Sequence, residues 1–234
     1  MSKLKIIKQL TPMIKKSEGF RAEPYKDPLG KWTVGYGLLL EQCLPRSVIA
    51  QLLPEYPDYK KTLEQGDRLW NNRDYAMNYW YVFHEQPITK KTASKVMHAI
   101  LSNLYDELAN HEKLPYFAKL QDIEQMCMID IAYNIGVKGL LGFKGFIEQI
   151  YNENLTFAIG ELLISERAGQ VWGRTKHNAE MLWGGDLNFN DCLECTGHLL
   201  DTKYSNASKP KEYYMGLVNA FTEQAYGTKL YKGV

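Results

Sequence analysis

Glu18 and Asp27 are the residues of this sequence whose types and spacing best suit catalysis, because they stand nine positions apart on either side of a short segment. The residues that follow, from Gly30 to Gly37, are rich in glycine and aromatic side chains and are typical of a β-hairpin. Cleavage of a glycosidic bond needs two carboxyl groups in unlike environments. One protonates the leaving oxygen, and the other acts on the anomeric carbon or on a water molecule. The spacing therefore predicts an acid and a base held on the two sides of one small element.

The local sequence predicts that Glu18 lies at the end of a helix. Thr11 and Pro12 are typical of a helix start, since threonine is a common N-cap and proline is favoured at the first helical position. Gly19 predicts the end of the helix, because glycine adopts the positive φ that closes a C-terminus. The helix dipole disfavours a carboxylate in the last turn, so the protonated form of Glu18 is favoured, as a general acid requires.

Asp27 is predicted to lie in a chain reversal. The run Asp27-Pro28-Leu29-Gly30 contains three residue types that are typical of turns. The chain then resumes as a strand from Trp32 to Val34, and Gly35 and Gly37 interrupt it where a ligand or another backbone comes close. Taken singly, each carboxylate also suits an ordinary role, as a surface residue or a turn former. Their joint pattern favours a functional site.

The residues around the two carboxylates form a longer pattern. Its members are Glu18-Gly19, Arg21, Ala22, Tyr25, Asp27, Gly30, Thr33 and Gly35-Tyr36-Gly37. This pattern resembles the active-site signature of the phage-type lysozymes, glycoside hydrolase family 24. Further blocks, from Ile88-Thr89, from Ile131 to Phe143 and from Ala158 to Trp183, agree with that family in order and spacing. The resemblance covers roughly residues 1–40 and 88–183.

The resemblance implies a role for three residues. Glu18 matches the general acid that protonates the glycosidic oxygen, and Asp27 matches the carboxylate that activates water or stabilises the developing cation. Thr33 matches the hydroxyl that holds the attacking water. The family is similar to inverting enzymes, which leave room for a water molecule between the sugar and the base.

The resemblance also places Leu39, Tyr133 and Asn134 along the groove that binds the sugar chain. Packing in the core is the alternative for Leu39 and Tyr133. One position departs from the family, which usually has histidine where this chain has Leu38. An aliphatic side chain can pack but cannot transfer protons, so we interpret this position as structural.

The fold class that these features predict is α+β and mainly helical, with a lysozyme-like architecture of two lobes. A small lobe would carry the β-hairpin, a larger lobe would be helical, and the cleft between them would hold the substrate. We assign residues 1–183 to one catalytic domain with an insertion at about 41–87. Residues 184–234 form an extension with one amphipathic helix, from Lys211 to Tyr226, predicted to dock on the catalytic domain.

The other predicted helices follow from apolar spacing and from capping residues. Thr89 is predicted to cap a helix from Lys90 to about His111, and an apolar central helix is predicted from Asp122 to Ile135. Two more are predicted from Phe143 to Asn152 and from Leu155 to about Ala168. The insertion at 41–87 is crowded with aromatic side chains, which could stack on sugar rings but are more typical of packing. They are Tyr56, Tyr59, Trp70, Tyr75, Tyr79, Trp80, Tyr81 and Phe83.

The amino-acid composition of the chain argues against some classes of binding partner. The 234 residues carry a net charge of +1, which argues against nucleic-acid binding because that normally needs clustered cations. Since no apolar run approaches the roughly 20 residues that span a bilayer, we expect no stable membrane insertion. The polar start of the chain is unlike a secretory signal. We therefore expect synthesis in the cytoplasm, action on the cell wall after release or delivery, and a monomeric state.

No cofactor and no metal site are expected for this chemistry. We interpret Cys192 and Cys195 as reduced thiols in a loop, and the alternative is that they form half of a zinc site with His198. Cys127 lies in an apolar stretch and is predicted to be a buried small hydrophobe.

The resemblance to the phage-type lysozymes implies a muramidase that cleaves the β-1,4 bond between N-acetylmuramic acid and N-acetylglucosamine in bacterial peptidoglycan. It would act as a phage endolysin or as an antibacterial effector, with a holin, secretion machinery or an immunity protein as candidate partners. Two alternatives remain open. One is a catalytically silent wall-binding or tail-structural module, and the other is a hydrolase of a different aminosugar polymer such as chitin.

Overall fold

A computed structural model describes residues 2–27, 30–40, 46–52, 54–56, 83–165, 167–168, 171–183, 189–202 and 209–226. The chain divides into two compact units, Met1–Asn110 and His111–Val234. It is mostly helical, with one small antiparallel sheet in the first unit, so the predicted α+β fold class is confirmed.

In the part that the structure describes, the first unit combines three helices with the sheet. The strands are consecutive in the chain and also in the sheet, in the order β1-β2-β3. Its elements are α1 (Lys3–Glu18), β1 (Arg21–Lys26), β2 (Trp32–Gly35), β3 (Leu38–Leu39), α2 (Arg46–Leu52) and α3 (Lys90–Ala109).

The helix α1 begins earlier than the sequence predicts, and Thr11 and Pro12 lie inside it. The predicted helix start at these residues is therefore wrong. The Thr11 hydroxyl donates a hydrogen bond to the Ile7 carbonyl one turn earlier, at 2.7 Å. An internal proline costs a helix about 3 kcal/mol. Burial of one aliphatic side chain stabilises the folded protein by roughly 1.5–3 kcal/mol. Since α1 has four such side chains that are almost fully buried, the helix continues through Pro12. These four are Ile6, Ile7, Leu10 and Ile14.

The core of the first unit joins the sheet to α2 and α3. Leu38 and Val34 are paired across β3 and β2, and both are buried in this core, as expected of a structural leucine at that position. Tyr56 and Phe83, from the two ends of the predicted insertion, also pack here, with their ring centroids 5.1 Å apart. The other aromatic residues named for the insertion lie outside the described residues.

A close approach to α3 fixes the sheet at Gly35, which has φ 68°. A Cβ added at Gly35 would lie 3.1 Å from the Ala93 Cβ on α3. A glycine at this position predicts that another part of the chain comes close, and α3 is the element that does so. The helix α3 itself begins as expected, because the Thr89 side chain accepts a hydrogen bond from the Thr92 N–H.

The second unit is helical throughout its described residues. It contains α4 (Asp122–Gly142), α5 (Lys144–Tyr151), α6 (Leu155–Leu163), α7 (Trp172–Trp183), α8 (Phe189–Thr202) and α9 (Lys211–Tyr226), with a 3-10 turn at Phe117–Lys119. The helix α6 is apolar and largely buried, and α5, α7, α8 and α9 all pack on it. In α9, Tyr214 and Val218 are buried, as the amphipathic pattern predicts.

The central helix α4 is longer than predicted and kinks at Gly136, where φ is 76° and ψ is 162°. The predicted end at Ile135 coincides with this kink, and the chain resumes helical geometry beyond it to Gly142. In contrast, the helix predicted to reach about Ala168 ends at Leu163. None of the described helices is by itself long and apolar enough to cross a membrane, although α4 and α5, bent by 89°, reach that length and hydropathy together.

Candidate active site

Glu18 is the last residue of α1, and its side chain is half-buried. The next residue, Gly19, has φ 70° and ψ 177°, and its N–H donates to the Lys15 carbonyl at 3.1 Å. This backbone conformation is essentially restricted to glycine, so Gly19 is what ends the helix. The chain then enters β1 at Arg21. The predicted placement of Glu18 at a helix C-terminus is confirmed.

Asp27 follows the last residue of β1 and is half-buried. Its Oδ1 accepts a hydrogen bond from the Lys31 N–H at 2.8 Å, and its own N–H donates to the Lys31 carbonyl at 2.9 Å. The Gly30 N–H donates to the Asp27 carbonyl, which closes the reversal. Glu18 and Asp27 thus flank the two ends of β1, and backbone hydrogen bonds hold the position of Asp27.

Thr33 lies in β2 with a side chain that is only 5% exposed. Its main chain is paired with Tyr25 of β1 and with Leu39 of β3. Directly paired residues carry their side chains on the same face of an antiparallel sheet, so these three residues share one face. The core residues Val34 and Leu38 belong to the opposite face. The hydroxyl of Thr33 donates to the Lys31 carbonyl at 3.2 Å.

Tyr25 connects the two carboxylates electrostatically. Burial raises the pKa of its phenol above the ordinary value, and the negative charges of Glu18 and Asp27 raise it further, whereas Arg21 lowers it. The Arg21 guanidinium lies over the Tyr25 ring, 4.4 Å from the centroid. A phenol with a raised pKa stays protonated near neutral pH and carries a donor hydrogen. A neutral donor therefore lies within the electrostatic reach of both candidate catalytic groups.

We predict that Tyr25→Phe lowers kcat/KM by about tenfold, because a hydrogen-bonding group near two charges typically contributes 1.5–3 kcal/mol. The thermal midpoint should change little, since the ring and its contact with Arg21 remain. Tyr36→Phe is the matched control, because it removes a phenolic hydroxyl from the same unit at the turn after β2. Equal losses in the two variants, measured as initial rates on purified cell walls, would contradict a special role for Tyr25.

Tyr133 and Asn134, the other predicted substrate-binding residues, lie in α4 of the second unit and are both half-buried. The Asn134 Oδ1 accepts a hydrogen bond from Arg167 Nε at 3.3 Å. The guanidinium of Arg174 lies over the Tyr133 ring, 5.7 Å from its centroid. Each of the two residues is therefore in contact with one arginine.

The two arginines belong to a buried polar network. Arg174 donates two hydrogen bonds to Asp130, from Nε at 3.2 Å and from Nη2 at 2.9 Å. Arg167 also donates from Nη1 to the Thr175 hydroxyl at 3.1 Å. Burial lowers the pKa of Arg167 from its ordinary value, and the charge of Asp130 raises it. These contacts hold the side chains beside Tyr133 and Asn134 in place.

Asp130→Asn should destabilise the protein by about 3 kcal/mol, because removing one partner leaves a buried arginine without its counter-ion. Urea unfolding, followed by circular dichroism of the helices, measures this change. The control is Glu180→Gln in α7, which breaks the more exposed ion pair between Lys176 and Glu180. Such pairs contribute roughly 0.3–0.5 kcal/mol. A similarly small loss for Asp130→Asn would show that the buried pair has little energetic importance.

The structure places Glu18, Asp27, Thr33 and Leu39 in the first unit and Tyr133 and Asn134 in the second. The network of Asp130, Arg167 and Arg174 was not predicted from the sequence. One signal was available, because Asp130 is a single acid within the apolar run from Met126 to Ile135. A charge in such a run indicates a buried partner, but its spacing does not identify which arginine.

The described residues contain no group of three or more histidine, cysteine, aspartate or glutamate side chains that could hold a metal ion. The side chain of Cys192 lies outside them, so whether Cys192 and Cys195 bind a metal is not tested, but both cysteines lie in α8 and not in the predicted loop. Cys127 is fully buried in α4, as predicted, and burial raises the pKa of its thiol.

Comparison with known proteins identifies related sequences for the part of the chain that contains these residues. The sequence profile of the family described as phage lysozyme matches residues 15–172, a range that includes every predicted site residue. A curated protein of Dictyostelium discoideum, described as probable T4-type lysozyme 1, is 24% identical over 185 residues. The alignment covers 78% of this chain and 98% of that relative.

Proposed function

This chain belongs to the phage lysozyme family, and we propose that its substrate is bacterial peptidoglycan. Membership of that family supports the assignment of the chain as a muramidase-type glycoside hydrolase. The bond cleaved is the β-1,4 linkage between N-acetylmuramic acid and N-acetylglucosamine. One observation carries the proposal. Glu18 at the end of α1 and Asp27 just after β1 flank a single short strand, as a pair of catalytic carboxyl groups requires.

In this mechanism Glu18 is the general acid. It is the last residue of α1, next to the start of β1, and in the acid form it delivers a proton to the leaving oxygen. After bond cleavage Glu18 takes up a proton from solvent, and Asp27 returns to solvent the proton that it accepted from the attacking water, so that each cycle consumes one water molecule. The half-buried position of Glu18 beside Tyr25 supports this role, because it limits the water available to compete with the sugar oxygen.

Asp27 acts on the anomeric carbon through a water molecule, or stabilises the positive charge that develops there. Its Oδ1 accepts the Lys31 N–H at 2.8 Å, which holds the carboxylate at the end of β1. We assign Thr33 to hold the attacking water, because its side chain projects from the same sheet face as Tyr25. This division of roles supports hydrolysis without a metal or a cofactor.

The proposal is tested by digesting purified peptidoglycan and identifying the products by mass spectrometry. We expect muropeptides with a reducing N-acetylmuramic acid end and a mass gain of one water per cleavage. Chitin oligomers of equal length serve as the comparison substrate and should be cleaved far more slowly. Products that end in a 1,6-anhydro sugar would instead show a transglycosylase, and faster chitin cleavage would overturn the peptidoglycan assignment.

Thr33→Val should lower kcat by about 10² while leaving KM nearly unchanged, because it removes a hydrogen bond made to the water only during the reaction. Valine has nearly the same shape as threonine and suits a buried strand position. Thr33→Ser keeps the hydroxyl and is the matched control, with activity within a few-fold of the original. If the valine variant remained as active as the serine variant, the hydroxyl would have no catalytic role.

We further propose that the protein acts on the wall after release from the cell that makes it, or after delivery into another cell. Peptidoglycan lies outside the inner membrane, so a holin, a secretion device or lysis has to supply access. Genes adjacent to this one separate the two cases. A holin gene supports an endolysin, whereas a gene for an immunity protein supports an effector. Export of the isolated chain without any of these would contradict the proposal.

A further inference from the structure

The first unit contains a cavity of about 500 Å³ bounded by α1, α2 and α3, which we name the three-helix pocket. Thr11 and Lys15 line it from α1, and Ser47 and Gln51 line it from α2. Each pair is separated by four residues, so each helix presents one side to the cavity. The longest wall comes from α3, whose lining residues run from Ser94 to Asn103 and recur at each turn.

The lining of the three-helix pocket is polar and carries only positive charge. Lys15 and Lys95 contribute ammonium groups, His98 contributes an imidazole, and the lining contains neither aspartate nor glutamate. Nine of its ten residues are polar, with Ala99 as the exception. Apolar ligands need hydrophobic walls, and divalent cations need carboxylate or carbonyl oxygens. The composition therefore suits a ligand with a negative charge.

Some of the hydrogen-bonding groups that line the pocket bond to other groups of the protein, and the others are available to a ligand. The hydroxyl groups of Thr11 and Ser94 donate to carbonyls of their own helices. Ser47 and Asn103 donate to each other, at 3.0 and 2.8 Å, and fasten α2 to α3. These contacts hold the walls together without using the ammonium groups.

The remaining donors are available to a ligand. Within the described part of the chain, no hydrogen bond engages the side chain of Gln51, Lys95 or Ser102. The Lys15 ammonium lies over the Tyr36 ring, 5.3 Å from its centroid, which restricts its position but leaves its hydrogens free to donate. Ammonium, amide and hydroxyl donors from three helices thus surround one cavity.

From this arrangement the geometry points to an anion-binding site in the three-helix pocket that takes a small carboxylate or phosphate group. Lysine ammonium groups act as point charges toward such ligands, and the neutral donors fix their orientation. The site is separate from Glu18 and Asp27, which do not line the pocket. It does not depend on the proposed muramidase activity.

The experiment titrates the full-length protein with inorganic phosphate and, separately, with succinate, at constant ionic strength set with sodium chloride. Backbone amide shifts in two-dimensional NMR report binding, and we expect saturable shifts in α1, α2 and α3 with a dissociation constant in the millimolar range. Saturation by phosphate alone identifies a phosphate site, and saturation by succinate alone identifies a carboxylate site. If neither ligand gives saturable shifts in these helices, the proposal is wrong.

Charge reversal tests the location of the site. Lys95→Glu should weaken binding at least about tenfold, because it replaces an attractive charge with a repulsive one at the cavity. Lys91→Glu is the matched control, since Lys91 is exposed on the same helix, is absent from the lining and gives the same change in net charge. Gln51→Leu is a second pocket variant that changes no charge and should also weaken binding. Equal weakening by Lys91→Glu and Lys95→Glu, with none by Gln51→Leu, would show a diffuse charge effect and no site.

Discussion

Glu18→Gln should abolish lysis of cell walls, with kcat/KM lowered by at least about 10³, because glutamine cannot donate a proton to the leaving oxygen. The side chain keeps its size and its place at the end of α1. The thermal midpoint should be unchanged or slightly higher, since the change removes a negative charge from the end of a helix where the dipole disfavours it. Turbidity loss of outer-membrane-stripped cells measures activity, and calorimetry measures the midpoint.

The control for this variant is Glu23→Gln, which removes an exposed carboxylate from β1, between the two candidate catalytic residues. It makes the same chemical change and the same change in net charge, and we expect activity within about twofold of the original protein. Lysis by Glu18→Gln at a rate near that of Glu23→Gln would rule out Glu18 as the acid.

Asp27→Asn should lower activity by about 10²–10⁴, because the amide can neither accept a proton from water nor stabilise a cation as a carboxylate does. The asparagine Oδ1 can still accept the Lys31 N–H that Asp27 accepts at 2.8 Å. The reversal after β1 should therefore persist, and the thermal midpoint should fall by no more than a few degrees.

Asp27→Ala separates the structural and chemical parts of this effect. It removes both the charge and the acceptor for Lys31, so stability should fall by a further 1–2 kcal/mol, roughly the value of a charge-assisted hydrogen bond. Activity should be as low as in Asp27→Asn. Retained activity in Asp27→Asn, with Glu18 still essential, would point to a transglycosylase-like route with a single acid/base residue.

The sequence was sufficient to predict the environment of the two carboxylates, because local chemistry determines it. Gly19 ends α1 through a backbone geometry that other residues avoid, and Asp27 closes a reversal with hydrogen bonds to residues at most four positions away. Short-range signals of this kind can be derived from one segment. The register of β2 between β1 and β3, which gives Tyr25, Thr33 and Leu39 a common face, also involves residues close in the chain.

Features that depend on distant residues could not be predicted in this way. The start of α1 was misplaced because burial of its apolar side chains outweighs a proline, and the sequence alone does not show what covers those side chains. The contact between Arg167 and Asn134 joins positions 33 residues apart, and the Asp130 pair joins positions 44 residues apart. No local pattern in the sequence relates such positions.

The contact between Gly35 and Ala93 provides a way in which the activity of this enzyme could change without a change in its charged residues. Thr33 stands two residues before Gly35 on the same strand, so the methyl group of Ala93 sets how closely that strand approaches α3. Enlarging this side chain would displace the proposed water-holding hydroxyl while leaving every charged group untouched. Turnover rate could therefore evolve through the volume of a buried helix residue, independently of the electrostatics on which bond cleavage depends.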